Sequence, residues 1–271
     1  MQVAVGLFVV ALLAACSGGT DPRGTEAAAD LVTPGSEPSS SQEAATASPQ
    51  DPVTVTVLAA ASLTEAFTEL AGAYEQQHPQ VSIALSFGSS TTLAQQIAEG
   101  AEADLYAGAG REALENLPEG YAAAGGEELI AQNSLVIAIA PGNPKGIEGL
   151  NDFTRTDIDT VLCIETVPCG RAADEAFEQA GLNAAPRSRE IDVKATLAKV
   201  SLGEADAAIV YRSDVASADD VAGVEIPTDQ NVVVDYPLVW FNTQPHTVAF
   251  ADLVSAEPGR QALEAAGFTL P

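Results

Sequence analysis

The chain has 271 residues, with 38 Asp and Glu against 11 Lys and Arg, a formal net charge of −27. That balance excludes a nucleic-acid partner, because binding to a phosphate backbone is carried mainly by Lys and Arg. Two histidines and three cysteines, in no recognisable ligand spacing, exclude a closed protein metal site as well.

Residues 1–15 contain no charge and carry an apolar run from Val3 to Ala15. The run is too short to span a bilayer and reads as a signal peptide. The next residue, Cys16, follows Leu13-Ala14-Ala15, a pattern that looks like a bacterial lipobox, so Cys16 is expected to carry lipid at the mature N-terminus. Residues 16–51 are then a lipid-anchored, disordered tether. Their Ser, Gly, Thr, Pro, Ala, Glu and Asp side chains bury too little apolar surface to offset the entropy of ordering.

Val53 to Leu58 alternate apolar and hydroxyl-bearing side chains, the pattern of a strand. Leu63, Ala66, Phe67, Leu70, Ala73 and Tyr74 then recur at helical spacing. Strand gives way to helix at Ser62, and Ser62-Leu63-Thr64-Glu65 reads as a capping box, which places a serine oxygen beside free N–H groups at a positive helix end. The arrangement repeats. Val81 to Phe87 read as a strand, Gly88 to Thr92 as a hydroxyl-rich turn, and Leu93 to Glu99 as a helix stopped by Gly100. Two such turns at the carboxyl ends of parallel strands stand where open α/β sheets bind ligands, and their chemistry suits an anion.

Further strands are expected over 103–109, 133–140, 160–165, 205–211 and 231–241. Helices are expected over 111–117, 170–181, 192–203 and, as one element, 247–267.

The segments AAASLTEAF and SFGSSTTLAQQIAEGAEADLYAGA resemble the periplasmic molybdate-binding proteins of ABC transporters, whose signature pairs A-A-S-L with a later F-x-S-S-x-x-L-x-x-Q-I and A-D-L. The resemblance continues at Val167-Pro168-Cys169-Gly170 (V-P-x-G), Asp192-Val193-Lys194 (D-V-R) and Ile209-Val210-Tyr211 followed by Ser213-Asp214 (I-V-Y-x-S-D). It implies an α/β chain with the two-lobed periplasmic binding protein fold of type II and two crossings between lobes. Residues 52–133 and 235–271 would form lobe one and residues 134–234 lobe two. It also implies that Ser62 and Ser90 bind the oxyanion through their hydroxyls, Cys169 and Val193 through backbone N–H groups, and Tyr211 through its phenol. Ser89 is the register alternative to Ser90.

The expected ligand is molybdate or tungstate, carried as cargo with no cofactor, by a monomer that delivers it to a membrane permease. Another tetrahedral oxyanion such as sulfate is the alternative. A site made only of donors favours ions with no proton to give, and so rejects hydrogen phosphate, whose proton would stay unpaired. Arg171, Lys194 and Arg212 would add positive charge beside the lobe-two donors. An enzyme is not expected: no G-x-S-x-G elbow is present, and His78 and His246 stand next to prolines in loop-like segments. With Cys16 assigned to lipid, Cys163 and Cys169 remain, and in an exported chain they are expected to pair as a disulfide.

Overall fold

The computed structural model describes residues 52–271. The expected signal peptide, the lipidated Cys16 and the tether lie outside the described residues. Among the described residues no helix is long and apolar enough to cross a membrane.

In chain order the elements are β1 (Val53–Ala60), a 3-10 turn (Ala61–Leu63), α1 (Thr64–Gln77), β2 (Val81–Gly88), α2 (Ser90–Ala98) and β3 (Leu105–Ala107). A 3-10 turn (Arg111–Asn116), β4 (Gly126–Ile139), a 3-10 turn (Leu150–Thr154), β5 (Thr160–Cys163), α3 (Pro168–Gln179) and β6 (Ser188–Glu190) follow. The chain closes with α4 (Val193–Ser201), β7 (Ala207–Tyr211), α5 (Arg212–Ala216), β8 (Ala222–Glu225), β9 (Val233–Trp240), α6 (Pro245–Ser255) and α7 (Glu257–Ala265).

Nine strands form one sheet in the order β2-β1-β3-β9-β4-β7-β5-β6, with β8 paired to β4. Strand β4 joins its two halves. Residues Gly126 to Ser134 run antiparallel to β9, whereas Leu135 to Ile139 run antiparallel to β7 on one side and, from Val136, β8 on the other. Parallel pairing is confined to the two ends, β1 with β2 and β3, and β5 with β6 and β7. Each end is a βαβ-type arrangement whose strands point their carboxyl termini at the same edge. The core follows the sequence pattern. Val55, Val57, Leu63, Phe67 and Leu70 of the first segment are buried, as are Leu135, Ile137 and Ile139 of β4.

The structure differs from the sequence expectations at several elements. The α-helix expected over 111–117 is instead a 3-10 turn, Arg111–Asn116. The single helix expected over 247–267 is two helices, interrupted at Ala256, whose extended backbone (ψ 177°) precedes the Pro258 at the start of α7. Three short elements, β6, α5 and β8, have too few residues for a periodic signal to show.

Candidate anion-binding site

Every residue expected to hold an anion stands at the carboxyl end of a strand. Ser62 follows β1 inside the 3-10 turn, Ser90 opens α2 after β2, Cys169 is the second residue of α3 after β5, Val193 opens α4 after β6, and Tyr211 ends β7. All five line a single small cavity, together with Ala60, Ala61, Gly88, Ser89, Ala109, Val167, Pro168 and Asp192. The space for the centre of a water-sized group is about 20 Å³. Pockets for drug-sized molecules run to several hundred Å³, so this cavity suits one small ion.

The first half of the sheet supplies two serine hydroxyls, each hydrogen-bonded to a buried group elsewhere in the chain. Ser62 is buried, and its Oγ lies 2.8 Å from the hydroxyl of fully buried Tyr236. Burial pushes the Tyr236 phenol well up, so both hydroxyls of this pair keep their protons and either can donate to the other. Ser90 Oγ accepts from the Ala109 N–H at 2.8 Å. A serine hydroxyl has one proton to give. With the Ala109 N–H behind its oxygen, Ser90 is left to spend that proton elsewhere, and Ser62 can do the same when Tyr236 is the donor of their shared hydrogen bond. The expected capping box at Ser62 is absent: α1 begins at Thr64, its N-cap is Leu63, and no side chain caps it. The serine oxygen is engaged with Tyr236 instead, which keeps Ser62 at the cavity and not folded over the helix end.

The second half offers backbone donors and one phenol. The first N–H groups of a helix have no intrahelical acceptor. In α3 Pro168 has no N–H, so Cys169 presents the first of these orphans. In α4 the Asp192 Oδ1 accepts from the Ala195 N–H at 2.8 Å, which leaves the Val193 N–H free for a ligand. Both helix ends also direct their positive dipoles at the cavity. The glycine of V-P-x-G is required by close approach: a Cβ on Gly170 would run into the backbone carbonyl of Ile164.

Tyr211 is 1% exposed, and its hydroxyl is among the buried side-chain oxygens without a partner. Burial, aided by Tyr236 and Asp214 nearby, holds its pKa well above the ordinary value, so it remains a donor. Its ring meets that of Tyr236 edge-on at 6.2 Å between centroids. Ser89 Oγ is also buried without a partner, so the register alternative at this turn reaches the same cavity.

Beneath this rim sits Asp214, fully buried, whose Oδ2 accepts from the Tyr211 N–H at 3.0 Å. Burial pushes its carboxyl up to about 7, against the opposing pull of Lys194. The three neighbouring cations are all engaged. The Arg171 Nη1 donates to the Thr166 carbonyl at 2.7 Å, Lys194 pairs with Glu65 at 2.8 Å, and Arg212 pairs with Glu225.

Cys163 and Cys169 have Cα atoms 5.8 Å apart with their sulfurs at bonding distance, a separation that suits a disulfide. Sequence reasoning missed the residues behind these groups, Tyr236, Ala109 and Asp214, and the capping of α4 by Asp192. It also placed His246 in a loop, whereas His246 belongs to α6 and its Nδ1 lies 2.8 Å from the Tyr74 hydroxyl.

A family model of bacterial extracellular solute-binding proteins matches residues 55–269. The molybdate-binding protein ModA of Mycobacterium tuberculosis (strain H37Rv) is 36% identical over 221 residues, which cover 80% of this chain and 85% of that protein. The molybdate-binding protein ModA of Haemophilus influenzae is 34% identical over 197 residues, covering 68% and 76%. Among solved structures, the periplasmic molybdate-binding protein of Azotobacter vinelandii matches with a TM-score of 0.70 at 20% identity, covering 80% of this chain and 99% of that one. This last likeness speaks for the fold alone.

Proposed function

We propose that this chain, which belongs to the bacterial extracellular solute-binding protein family, captures molybdate outside the cytoplasm and hands it to an ABC transporter permease. Members of that family bind solutes and are not enzymes, and molybdate is here cargo, not a cofactor. Relatives named as molybdate-binding proteins, matched over most of their length, support the choice of ion.

The observation that carries the reading is the set of hydroxyl and N–H groups around a cavity of about 20 Å³. Ser90 receives a hydrogen bond from the Ala109 N–H, Ser62 shares one with the Tyr236 hydroxyl, and Tyr211 has no partner. Three hydroxyl protons and the N–H groups of Cys169 and Val193 would replace the hydration of a dianion without a countercharge. An ion that must itself donate finds no ready acceptor among these groups. Tungstate, of like charge and shape, would bind as molybdate does, and sulfate is the alternative ligand.

Residues 52–133 with 235–271 form one lobe of this clamp and residues 134–234 the other, a division supported by the exchange of β4 partners between Ser134 and Leu135. A disulfide between Cys163 and Cys169 fixes the direction of the Cys169 N–H, supported by the 5.8 Å approach of their Cα atoms. Residues 1–15 direct export, Cys16 carries the lipid, residues 16–51 tether the domain to the membrane, and the chain acts as a monomer. Titration calorimetry of the purified chain is expected to show tight binding of molybdate and tungstate and none of phosphate. Phosphate binding equal to that of molybdate would overturn the donor-only site.

A further inference from the structure

We infer that Glu65 and Lys194 form a latch across the cleft, and that this ion pair sets how slowly the closed chain releases its anion; the inference rests on the proposed clamp-like capture of an oxyanion.

Glu65 lies in the first turn of α1, three residues after Ser62, and Lys194 is the second residue of α4, next to Val193. The two helices follow strands at opposite ends of the sheet, β1 and β6, which no strand pairing connects directly. Their side chains nonetheless meet, with Lys194 Nζ 2.8 Å from Glu65 Oε1. The remaining ion pairs among the described residues each stay within one half of the sheet. Arg111 pairs with Glu127 and Asp235 in the first half. Lys145, Arg155, Arg187, Arg189, Lys199 and Arg212 find their carboxylates in the second. Lys194 to Glu65 is therefore, among the described residues, the one ionic contact that a separation of the halves would have to break.

The cation is held ready on its own side. Its Nζ is 3.6 Å from Oδ1 of the fully buried Asp214, an oxygen with no hydrogen-bond donor of its own. The other carboxylate oxygen of Asp214 receives the Tyr211 N–H. Asp214 and Lys194 belong to the same half and stay together when the cleft opens, whereas Glu65 leaves with the Ser62 turn. One ammonium thus ties the Ser62 turn to the Val193 helix end and, through Asp214, to the strand end that carries Tyr211. Because Asp214 restrains Lys194 in either state, closing the latch orders mainly Glu65, which lowers its entropic cost. The pair forms only after the halves meet, so its loss should appear in release and not in capture.

The test follows bound radiolabelled molybdate as it exchanges against unlabelled molybdate in the full chain. Glu65→Gln is expected to speed exchange about fivefold, the upper range for a partly exposed pair, while the capture rate changes by less than about twofold. Lys194→Arg keeps the charge and should keep exchange slow. High salt should hasten release from the wild type and leave Glu65→Gln nearly unaffected. Wild-type exchange rates in Glu65→Gln, or an equal change in capture and release, overturn the latch. If the wild type holds no labelled molybdate, the reading of the ligand fails. The latch is then decided by small-angle scattering of the ligand-free chain, where Glu65→Gln must show a larger radius of gyration than the wild type, and equal radii overturn it.

Discussion

The two walls of the cavity offer the same chemistry, hydrogen-bond donation to an anion, by different means. At the β1 and β2 end the proposed donors are the side-chain hydroxyls of Ser62 and Ser90, each hydrogen-bonded to a buried group from elsewhere in the chain. At the β5 and β6 end they are peptide N–H groups of Cys169 and Val193 at helix starts, with Tyr211 beside them as a phenol that has no partner. The difference teaches that a side-chain substitution can delete either donor of the first wall, whereas on the second it can delete only the Tyr211 phenol and must move the backbone to remove the Cys169 or Val193 N–H.

Gly170→Ala should have the largest effect, because it does move the backbone. The new Cβ would overlap the Ile164 carbonyl, a backbone atom that no rotamer change can displace. Overpacking of this kind costs about 1–3 kcal/mol, so the melting temperature should fall by roughly 3–10 °C, and molybdate binding should be lost as the Cys169 N–H turns away. Scanning calorimetry with and without molybdate checks both. An unchanged melting temperature with full affinity would mean that the α3 turn is not the rigid donor described.

Next come the hydroxyls, and here the two walls should part company. Tyr211→Phe is expected to weaken molybdate binding by about 1.5–3 kcal/mol while leaving the ligand-free chain as stable as before or more so, since it removes a buried hydroxyl that has no partner. Ser62→Ala should weaken binding similarly but also lower ligand-free stability by about 1–3 kcal/mol, because the buried Tyr236 hydroxyl then loses its Ser62 partner. Equal effects of the two substitutions on the ligand-free melting temperature would erase the contrast.

The smallest effect concerns the support under the second wall. The Asp214 carboxyl is pushed up to about 7 from an ordinary value of 3.8, chiefly by burial. In the unfolded chain it ionises near the ordinary value, so carrying it into the fold as an anion costs nothing below about pH 4, costs more as pH rises towards 7, and costs a constant amount above. Asn in its place still accepts the Tyr211 N–H and does not ionise. Relative to the wild type, the melting temperature of Asp214→Asn should therefore rise by a few degrees between pH 4 and pH 7 and then level off. A difference that stays flat across that window would show that Asp214 is not carried as a costly buried anion.

Much of the site was legible in the order of residues along the chain. Ser62 and Ser90 stand at turns marked by a local pattern of strand, turn and helix start; Cys169, Val193 and Tyr211 were implied by resemblance to molybdate-binding proteins; and the fold brings all five to one cavity. The distant partners of these groups and of their neighbours were not legible. Tyr236 stands 174 residues from Ser62, Ala109 stands 19 from Ser90, and Glu65 stands 129 from Lys194. The capping box at Ser62 was a local reading that a distant residue overrode, since Tyr236 takes up the very oxygen that would have capped α1.

What the sequence determined by itself was therefore the alternation of strands and helices in the long elements and the chemical type of each turn, because hydrophobic period and first-turn residues act over a few positions. Only the tertiary structure decided which buried groups stand behind the serine oxygens and how small the cavity is. It alone also decided which charge faces which across the cleft. These depend on burial and on contacts between segments far apart in the chain, for which no local pattern is a proxy.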